Sequence, residues 1–276
     1  ETSTPTARVS ADASGNFTFP NVELKEDPSN GNRNIFYVIA EDAAKGSPGN
    51  LSEQSATIMV VYDVGPSSVS ALAIAGVGLA STTIPTSDYY GPGNYQVTVT
   101  FNEEMDSTVN PTIAYTPANG TAQSSNSGSW TASNTFTGQI SIPAGQGLTF
   151  DGPVQTLVVS NAKDSAGNVM AAATTPNPFR IDTTAPTTTM SSMETLYIGS
   201  GTSSVTISGN ASDATSGLKT CNIHWERFDG SSSGDQVVGL IPGNLSAWNS
   251  VLNVSSLTGD GAYKIWATST DQAKPN

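Results

Sequence analysis

One local pattern occurs three times along the chain and limits the folds that it can adopt. In each copy, a short run of apolar and β-branched residues is followed by a turn that begins at an aspartate and ends at an asparagine. The copies are Tyr37–Asp42 leading to Asn50, Leu157–Asp164 leading to Asn168, and Tyr263–Asp271 leading to Asn276. Repetition in matching order predicts a repeat architecture, in which one supersecondary unit is used several times.

Two short segments, Val60–Pro66 and Phe179–Pro186, mark the predicted boundaries between the repeated units. Each contains a strand-like apolar run, then an aspartate, then a proline. Proline cannot donate to a hydrogen-bonded ladder, so it fits the point where one sheet ends and the next begins. These boundaries predict a partial domain over 1–63 that lacks its opening strands, a complete domain over 64–182, and a domain over 183–276 that lacks its last strand.

The strands themselves are predicted from apolar alternation. Tyr95–Phe101 alternates with a period of two, which is typical of a strand with one buried face. Cys221, Ile223 and Trp225 fall on one face of a second run, and His224 falls on the other. The 26 glycines and 16 prolines suit frequent turns. Because no long segment has apolar residues at helical spacing, the sequence predicts an all-β fold.

Several short motifs resemble those of a known family. Asp164–Asn168, Ile181–Pro186 and Ser212–Gly217 are similar to segments of the immunoglobulin-like repeats in large bacterial surface adhesins and biofilm-associated proteins. Val97–Asp106 is similar to a strand and loop of the immunoglobulin-like domains in surface-layer proteins. The resemblance implies tandem immunoglobulin-like β-sandwich domains in an extended rod. It also implies an extracellular location at the bacterial cell surface, and a structural role as a stalk or scaffold in adhesion or biofilm formation.

The two end regions are expected to be incomplete sandwiches. A sandwich that lacks its last strand exposes a long edge and an open core. The sequence leaves two explanations open. Either the chain is a window from a longer array, or a neighbouring subunit donates the missing strand, as in strand-exchange polymers. The expected partners are therefore neighbouring immunoglobulin-like domains of the same or adjacent chains.

The charge of the chain excludes some classes of partner. Lysine and arginine number 10 against 23 aspartates and glutamates, so the net charge is −13. Such an acidic surface repels phosphate backbones and anionic lipids, which argues against nucleic-acid binding. The sequence contains no apolar run of about 18 residues, so it gives no indication of direct membrane insertion. Cys221 is the single cysteine, so the chain cannot form an internal disulfide.

The sequence offers little for catalysis. His224 is the only histidine, and no HExxH-type spacing, cysteine pair, phosphate-binding glycine loop or Gly-x-Ser-x-Gly motif accompanies it. Its strand phase indicates a solvated surface residue. The chain is therefore predicted not to be an enzyme.

The carboxylates at strand ends are the strongest candidates for a binding site. In an immunoglobulin-type sandwich, the loops after the second and sixth strands lie at the pole where the chain enters. Each linker aspartate should therefore meet two acidic loops, and calcium prefers six to eight such oxygen ligands. We expect calcium as the cofactor, bound at one or both junctions, where it would stiffen the rod. The alternative is that these aspartates merely cap turns. The candidate ligands at the first junction are Asp63, Glu103, Glu104, Asp106, Asp164 and Asn168, and those at the second are Asp182, Asp213 and Asp271.

Other functions remain open from the sequence. Incomplete end domains would also suit a subunit of a self-assembling surface layer or filament. A non-catalytic, carbohydrate-binding or accessory region of a secreted enzyme is a further alternative. Surface glycans are the expected partner in that case, with Trp130, Trp248, Tyr89 and Tyr90 as candidate aromatic contacts in loop-rich surroundings.

Overall fold

The computed structural model describes most of the 276 residues. The described ranges are 7–25, 32–43, 49–74, 77–78, 89–176, 178–191, 197–199, 201–238, 247–257 and 259–274. Within these ranges the protein is all-β, as the sequence predicts, and its only helical element is a 3-10 turn at Val254–Ser256. The described part has no helix that is long and apolar enough to cross a membrane.

The chain divides into two compact units. The N-terminal unit comprises Glu1–Pro66 with Ala166–Asn168, and the main unit comprises Ser67–Ser165 with Val169–Asn276. In the N-terminal unit, strands β1 (Arg33–Phe36) and β2 (Ile58–Val61) form an antiparallel pair. None of the described residues of this unit is buried. An isolated pair of strands cannot enclose a hydrophobic core, because independent stability needs three or more strands or a packing partner.

The main unit contains two hydrophobic cores, and the first of these, the middle core, lies between Val69 and Ile181. Five-stranded and four-stranded antiparallel sheets surround it, with orders β4-β3-β6-β10-β9 and β13-β12-β7-β8. A small mixed sheet, β11-β14-β5, lies at its end. The strands are β3 (Val69–Ile74), β4 (Val77–Gly78), β5 (Tyr89–Tyr90), β6 (Gly93–Phe101), β7 (Thr112–Thr116), β8 (Gln123–Ser125), β9 (Gly128–Ala132), β10 (Thr135–Ile142), β11 (Gly152–Pro153), β12 (Thr156–Ser160), β13 (Ala173–Pro176) and β14 (Arg180–Ile181).

The alternation predicted for Tyr95–Phe101 is confirmed. Every second residue of this part of β6 is buried, and the residues between them are not. Burying apolar side chains contributes about 25 cal/mol per Å² of apolar surface, so the burial of this face stabilises its sheet. The buried residues are Tyr95, Val97, Val99 and Phe101.

The second core, called the last core, is enclosed by two three-stranded antiparallel sheets, β15-β16-β19 and β18-β17-β20. Cys221, Ile223 and Trp225 of β17 all point into it, as their shared strand face predicts. Cys221 is a free thiol, and burial raises the pKa of this thiol. The strands are β15 (Thr187–Met190), β16 (Ser204–Ser212), β17 (Leu218–Arg227), β18 (Ser233–Val237), β19 (Trp248–Asn253) and β20 (Tyr263–Asp271).

The two cores of the main unit are joined by main-chain hydrogen bonds. Lys274, just after β20, lies parallel to β5 and forms a bridge with Tyr90. Its N–H donates to the carbonyl of Tyr89 at 2.8 Å, and its own carbonyl accepts from the N–H of Gly91 and the hydroxyl of Tyr95. The end of the last core thus extends the small mixed sheet of the middle core.

Candidate metal centre

Three aspartates meet beside this joint. Asp182 follows β14, Asp213 follows β16, and Asp271 is the last residue of β20. Each offers a carboxylate oxygen within 4.8 Å of the other two. The structure therefore brings together the three residues that the sequence assigns to the second junction. We call this set the acidic site.

The backbone holds each carboxylate of the acidic site in place. Every one of the three accepts a hydrogen bond from the backbone N–H two residues further along its own turn, as aspartates at turns commonly do. The donors are Thr184, Thr215 and Ala273, at 3.1, 3.0 and 2.9 Å respectively. The turn-capping role weighed from the sequence is thus present in the fold, and it fixes the direction of each carboxylate.

A further pair of hydrogen bonds completes the positions of two of these carboxylates. The backbone N–H of Gly217 donates to Asp213 Oδ1 at 2.7 Å. The backbone N–H of Ser216 donates to Asp182 Oδ2 at 3.0 Å, although 34 residues separate the two along the chain. The loop after β16 therefore holds both its own aspartate and the linker aspartate.

Burial makes the negative charges of this site costly. Asp182 is 1% exposed and Asp213 4% exposed, while Asp271 is half-buried. Burial raises the pKa of Asp182, and the nearby charge of Asp213 adds to the effect. Burial likewise raises the pKa of Asp271, with added repulsion from Asp182, Asp213 and Asp151. Both shifts have the direction expected when like charges are held together in a site of low polarity.

One carboxylate oxygen of the acidic site lacks a hydrogen-bond partner in the part of the chain that the structure describes. Asp213 Oδ2 is buried and accepts no hydrogen bond from any of the described residues. Leaving a buried polar atom unpaired costs about 1–3 kcal/mol, and more for a charged one. Buried charges in proteins are normally paired or bound to a metal. A bound cation would satisfy this oxygen.

The ligand set fits a hard divalent cation. The acidic site consists of carboxylate oxygens, without histidine or cysteine among its members. Each carboxylate has about four lone-pair positions, so an oxygen that accepts one N–H can still bind a metal ion. Oxygen-only ligation suits calcium, which takes six to eight such ligands, and is unlike the nitrogen and sulfur sites of zinc.

The residues assigned to the first junction are placed differently. Within the main unit, Glu103 and Asp164 offer oxygens within 4.8 Å of each other, and Asp164 is 1% exposed. Glu104 contributes its backbone carbonyl to the N–H of Ser165 at 3.1 Å. The carboxylate of Asp106 caps its own turn, because hydrogen bonds from the hydroxyl and N–H of Thr108 lower its pKa. In the described fold, Asp106 therefore caps a turn, and its predicted role as a calcium ligand stays a prediction.

The two remaining candidates, Asp63 and Asn168, belong to the N-terminal unit. There the Asn168 side-chain amide donates to the carbonyl of Asp63 at 3.2 Å, and the N–H of Gly65 donates to Asp63 Oδ1 at 3.0 Å. Their proposed role as calcium ligands stays a prediction.

Sequence reasoning missed Asp151. This residue precedes β11, is 6% exposed, and accepts hydrogen bonds from Thr183 and Thr184, the two residues that follow Asp182. It lies in the stretch Phe150–Pro153, which has no counterpart in the repeated pattern. No sequence signal distinguished it from other aspartates in loops.

The aromatic residues considered for glycan binding are less exposed than expected. Tyr90 and Trp248 are only 3% and 5% exposed and lie in the middle and last cores, so placing them in loop-rich surroundings was wrong. Trp130 is half-buried against Phe101 and Phe136. These positions follow from the large apolar area of aromatic rings, which favours packing within sheets.

His224 points away from the core, as predicted, but it is not simply solvated. Its side chain is 20% exposed, and Nδ1 lies 2.5 Å from Asp235 Oδ1. Nε2 lies 2.6 Å from Thr268 Oγ1, and the ring stacks on Trp266 with 5.3 Å between centroids. A carboxylate, a histidine and a hydroxyl in this order resemble a nucleophile and its base. They lie on the open face of a sheet, however, and acyl transfer also needs oxyanion donors. The absence of enzymatic activity stays a prediction.

No family model, curated protein or solved structure matches the chain. The fold and site therefore define its class directly: an all-β protein with antiparallel sheets around two cores, and a buried acidic site where those cores meet.

Proposed function

We propose that this chain is a structural segment of a bacterial extracellular surface protein. In this proposal, tandem immunoglobulin-like sandwiches form a rod-like stalk or scaffold for adhesion or biofilm formation, and calcium stiffens the junction at Asp182. Support for the surface-protein role comes from the motif resemblance and from two consecutive cores joined by main-chain hydrogen bonds. Support for calcium comes from the acidic site.

The observation that carries the calcium proposal is the unpartnered oxygen of Asp213. A buried carboxylate beside two others is unfavourable unless something neutralises it. A divalent cation would replace mutual repulsion by attraction to a shared ion. Protonation is the competing solution, and burial raises the pKa of Asp182 and of Asp271 in that direction.

The mechanical argument follows from where the ligands originate. Asp182 stands at the end of β14 in the middle core, whereas Asp213 and Asp271 follow strands of the last core. Only residues 183–186 separate Asp182 from the first residue of β15. An ion held by all three carboxylates would tie the two cores together, because moving one core would require breaking metal–oxygen bonds.

The test is a calcium titration of the full chain after treatment with chelator, followed by calorimetry and thermal unfolding. An ion that binds only the folded state stabilises it by about 2.7 kcal/mol when free calcium is about a hundred times the dissociation constant. We expect a heat of binding and a higher Tm in the wild type. Asp213→Asn should abolish calcium binding at the acidic site, which would remove the corresponding heat of binding.

The matched control is Asp229→Asn, because Asp229 is an exposed aspartate that caps its own turn outside the acidic site. This variant should bind calcium as the wild type does. A wild-type chain with neither heat nor a change in Tm would refute the calcium proposal. Equal loss in both variants would show that binding is non-specific attraction to an acidic surface.

A second candidate function, assembly through strand exchange, is favoured by one observation. β20 is the terminal strand of the described sheet β18-β17-β20, and it is nine residues long. Strand edges of this length are templates for pairing with another chain. Light scattering of the purified chain over a range of concentrations distinguishes assembly by strand exchange from a stalk segment that stays monomeric. A polymer supports assembly, and a monomer at all concentrations contradicts assembly.

A further inference from the structure

Asp151 reaches from the middle core to the segment that carries Asp182. Its Oδ1 accepts the backbone N–H of Thr183 at 2.8 Å and the hydroxyl of the same residue at 2.7 Å. Its Oδ2 accepts the hydroxyl of Thr184 at 2.6 Å. Hydrogen bonds to an ionised carboxylate are short and about twice as strong as those between neutral groups. The segment 183–184 is therefore held firmly from the side of the middle core.

The hydrogen bonding of Asp151 differs from that of Asp213. Both oxygens of Asp151 have donors, and Oδ1 has two. Asp213 Oδ2 has none among the described residues. An oxygen with two donors has used both of its lone pairs, so it has little capacity left for a metal ion. Asp151 Oδ2 has a single donor and keeps one lone pair, so Asp151 is better suited to hold the linker than to bind, whereas Asp213 keeps an oxygen with no donor among the described residues.

The same linker is held on its other side by the last core. Asp182 Oδ2 accepts the N–H of Ser216, and Asp182 Oδ1 accepts the N–H of Thr184. Thr184 therefore contacts both carboxylates, through its hydroxyl to Asp151 and through its N–H to Asp182. Releasing Thr184 from Asp151 would free the residue that orients Asp182.

We infer that Asp151 is a positioning residue of the acidic site: it fixes residues 182–184 so that the carboxylate of Asp182 faces Asp213 and Asp271. Its role in cation binding rests on the proposed function, while its role in placing Asp182 does not. Asp182 is the carboxylate that the middle core brings to the acidic site, and through Asp151 the same core controls the position of this carboxylate.

Two other roles are possible for Asp151: it could bind the cation directly as a fourth ligand, or it could act only through its negative charge. Its charge lies close enough to Asp271 to contribute to the raised pKa of that residue. Replacing Asp151 alone would change charge and positioning together. A substitution at Thr184 removes one of the hydrogen bonds without altering any charge, so it separates the two roles.

The first measurement is calcium affinity by calorimetry for the full chain. Thr184→Val removes the hydroxyl that donates to Asp151, and Thr184→Ser keeps it. Positioning predicts that Thr184→Val weakens calcium binding at least about fivefold and that Thr184→Ser stays within about twofold of the wild type. In an Asp151→Ala background, Thr184→Val should cause little further loss, because the contact is already gone. Wild-type affinity in Thr184→Val, or full additivity of the two changes, overturns the role in cation binding.

The second measurement does not depend on calcium. In chelator, hydrogen exchange at the amide of Ser216 reports whether Asp182 still accepts its hydrogen bond, and the amide of Gly217, bound to Asp213, serves as the internal control. Asp151→Ala should lower protection at Ser216 at least about tenfold and leave Gly217 within about threefold. Unchanged protection at Ser216 overturns the inference. If the wild type binds no calcium but Ser216 loses protection, the proposed function fails and the positioning role stands.

Discussion

At the scale of single residues, two tryptophans of the last core depend on glycines in neighbouring strands. Trp225 lies over Gly234, its partner in β18, and Trp248 lies over Gly209, its partner in β16. A Cβ at position 209 would be 2.6 Å from Trp248 Cζ2, and closer still to the carbonyl oxygen of Thr189. Glycine is required here for space, so that an indole ring can cover the adjacent strand.

Gly209→Ala should therefore destabilise the last core. Overpacking a well-packed core costs about 1–3 kcal/mol, because side chains and backbone must shift to admit the added methyl group. The matched control is Gly199→Ala, since a Cβ at that position meets no atom within 4 Å. Denaturant unfolding followed by tryptophan fluorescence measures both. Equal stability of the two variants would contradict the packing argument.

At the scale of elements, the acidic site is a meeting of three strand ends. The turns after β14, β16 and β20 each expose backbone N–H groups that an aspartate caps, and the fold places these caps side by side. The arrangement combines two effects of opposite sign. Capping stabilises each carboxylate in its ionised form, whereas burial and mutual repulsion disfavour it. For Asp182 and Asp271 burial is the larger effect.

The pH dependence of stability follows from these raised pKa values. A carboxyl group whose pKa is higher in the folded chain binds a proton more tightly there than in the unfolded chain. Its contribution to stability is complete below the unfolded pKa and is lost as the pH rises through the folded pKa. In chelator, these two groups should make the free energy of unfolding fall as the pH rises from about 4, by about 1.4 kcal/mol per pH unit for each extra proton held.

Thermal unfolding at several pH values, with chelator and with calcium, measures this effect. Asp182→Asn with Asp271→Asn provides the comparison, because amides do not titrate in this range. The wild type should lose stability relative to this variant as the pH rises in chelator, and calcium should reverse the loss. Parallel pH profiles for the two proteins in chelator would contradict the assignment.

At the scale of the whole molecule, the main unit places two cores in close main-chain contact. Lys274 adds to the small sheet β11-β14-β5, and Asp151 holds the linker between the cores. Interfaces between domains of one chain usually permit relative motion unless they are extensive. Here the joint combines backbone pairing, a buried carboxylate and the acidic site within a few residues.

Calorimetric unfolding of the full chain should reflect this joint. With calcium bound, we expect the two cores to unfold in a single transition, with equal calorimetric and van't Hoff enthalpies. Asp213→Asn removes the bridge and should separate or broaden the transition. Two resolved transitions for the wild type in saturating calcium would show that the cores are thermodynamically independent.

The sequence by itself determined the local features of this protein. Alternation identified the buried faces of Tyr95–Phe101 and of Cys221, Ile223 and Trp225, because a strand exposes its side chains with a period of two. The expected loop positions of an immunoglobulin-type sandwich also predicted that Asp182, Asp213 and Asp271 meet, because the linker and the loops after the second and sixth strands lie at the same pole. Only the tertiary structure decided the rest. It showed that Asp213 Oδ2 lacks a partner and that Asp151 holds Thr183 and Thr184 from more than thirty positions away. The physical reason is that periodicity is a local property of the chain, whereas hydrogen-bond satisfaction depends on residues that only folding brings together.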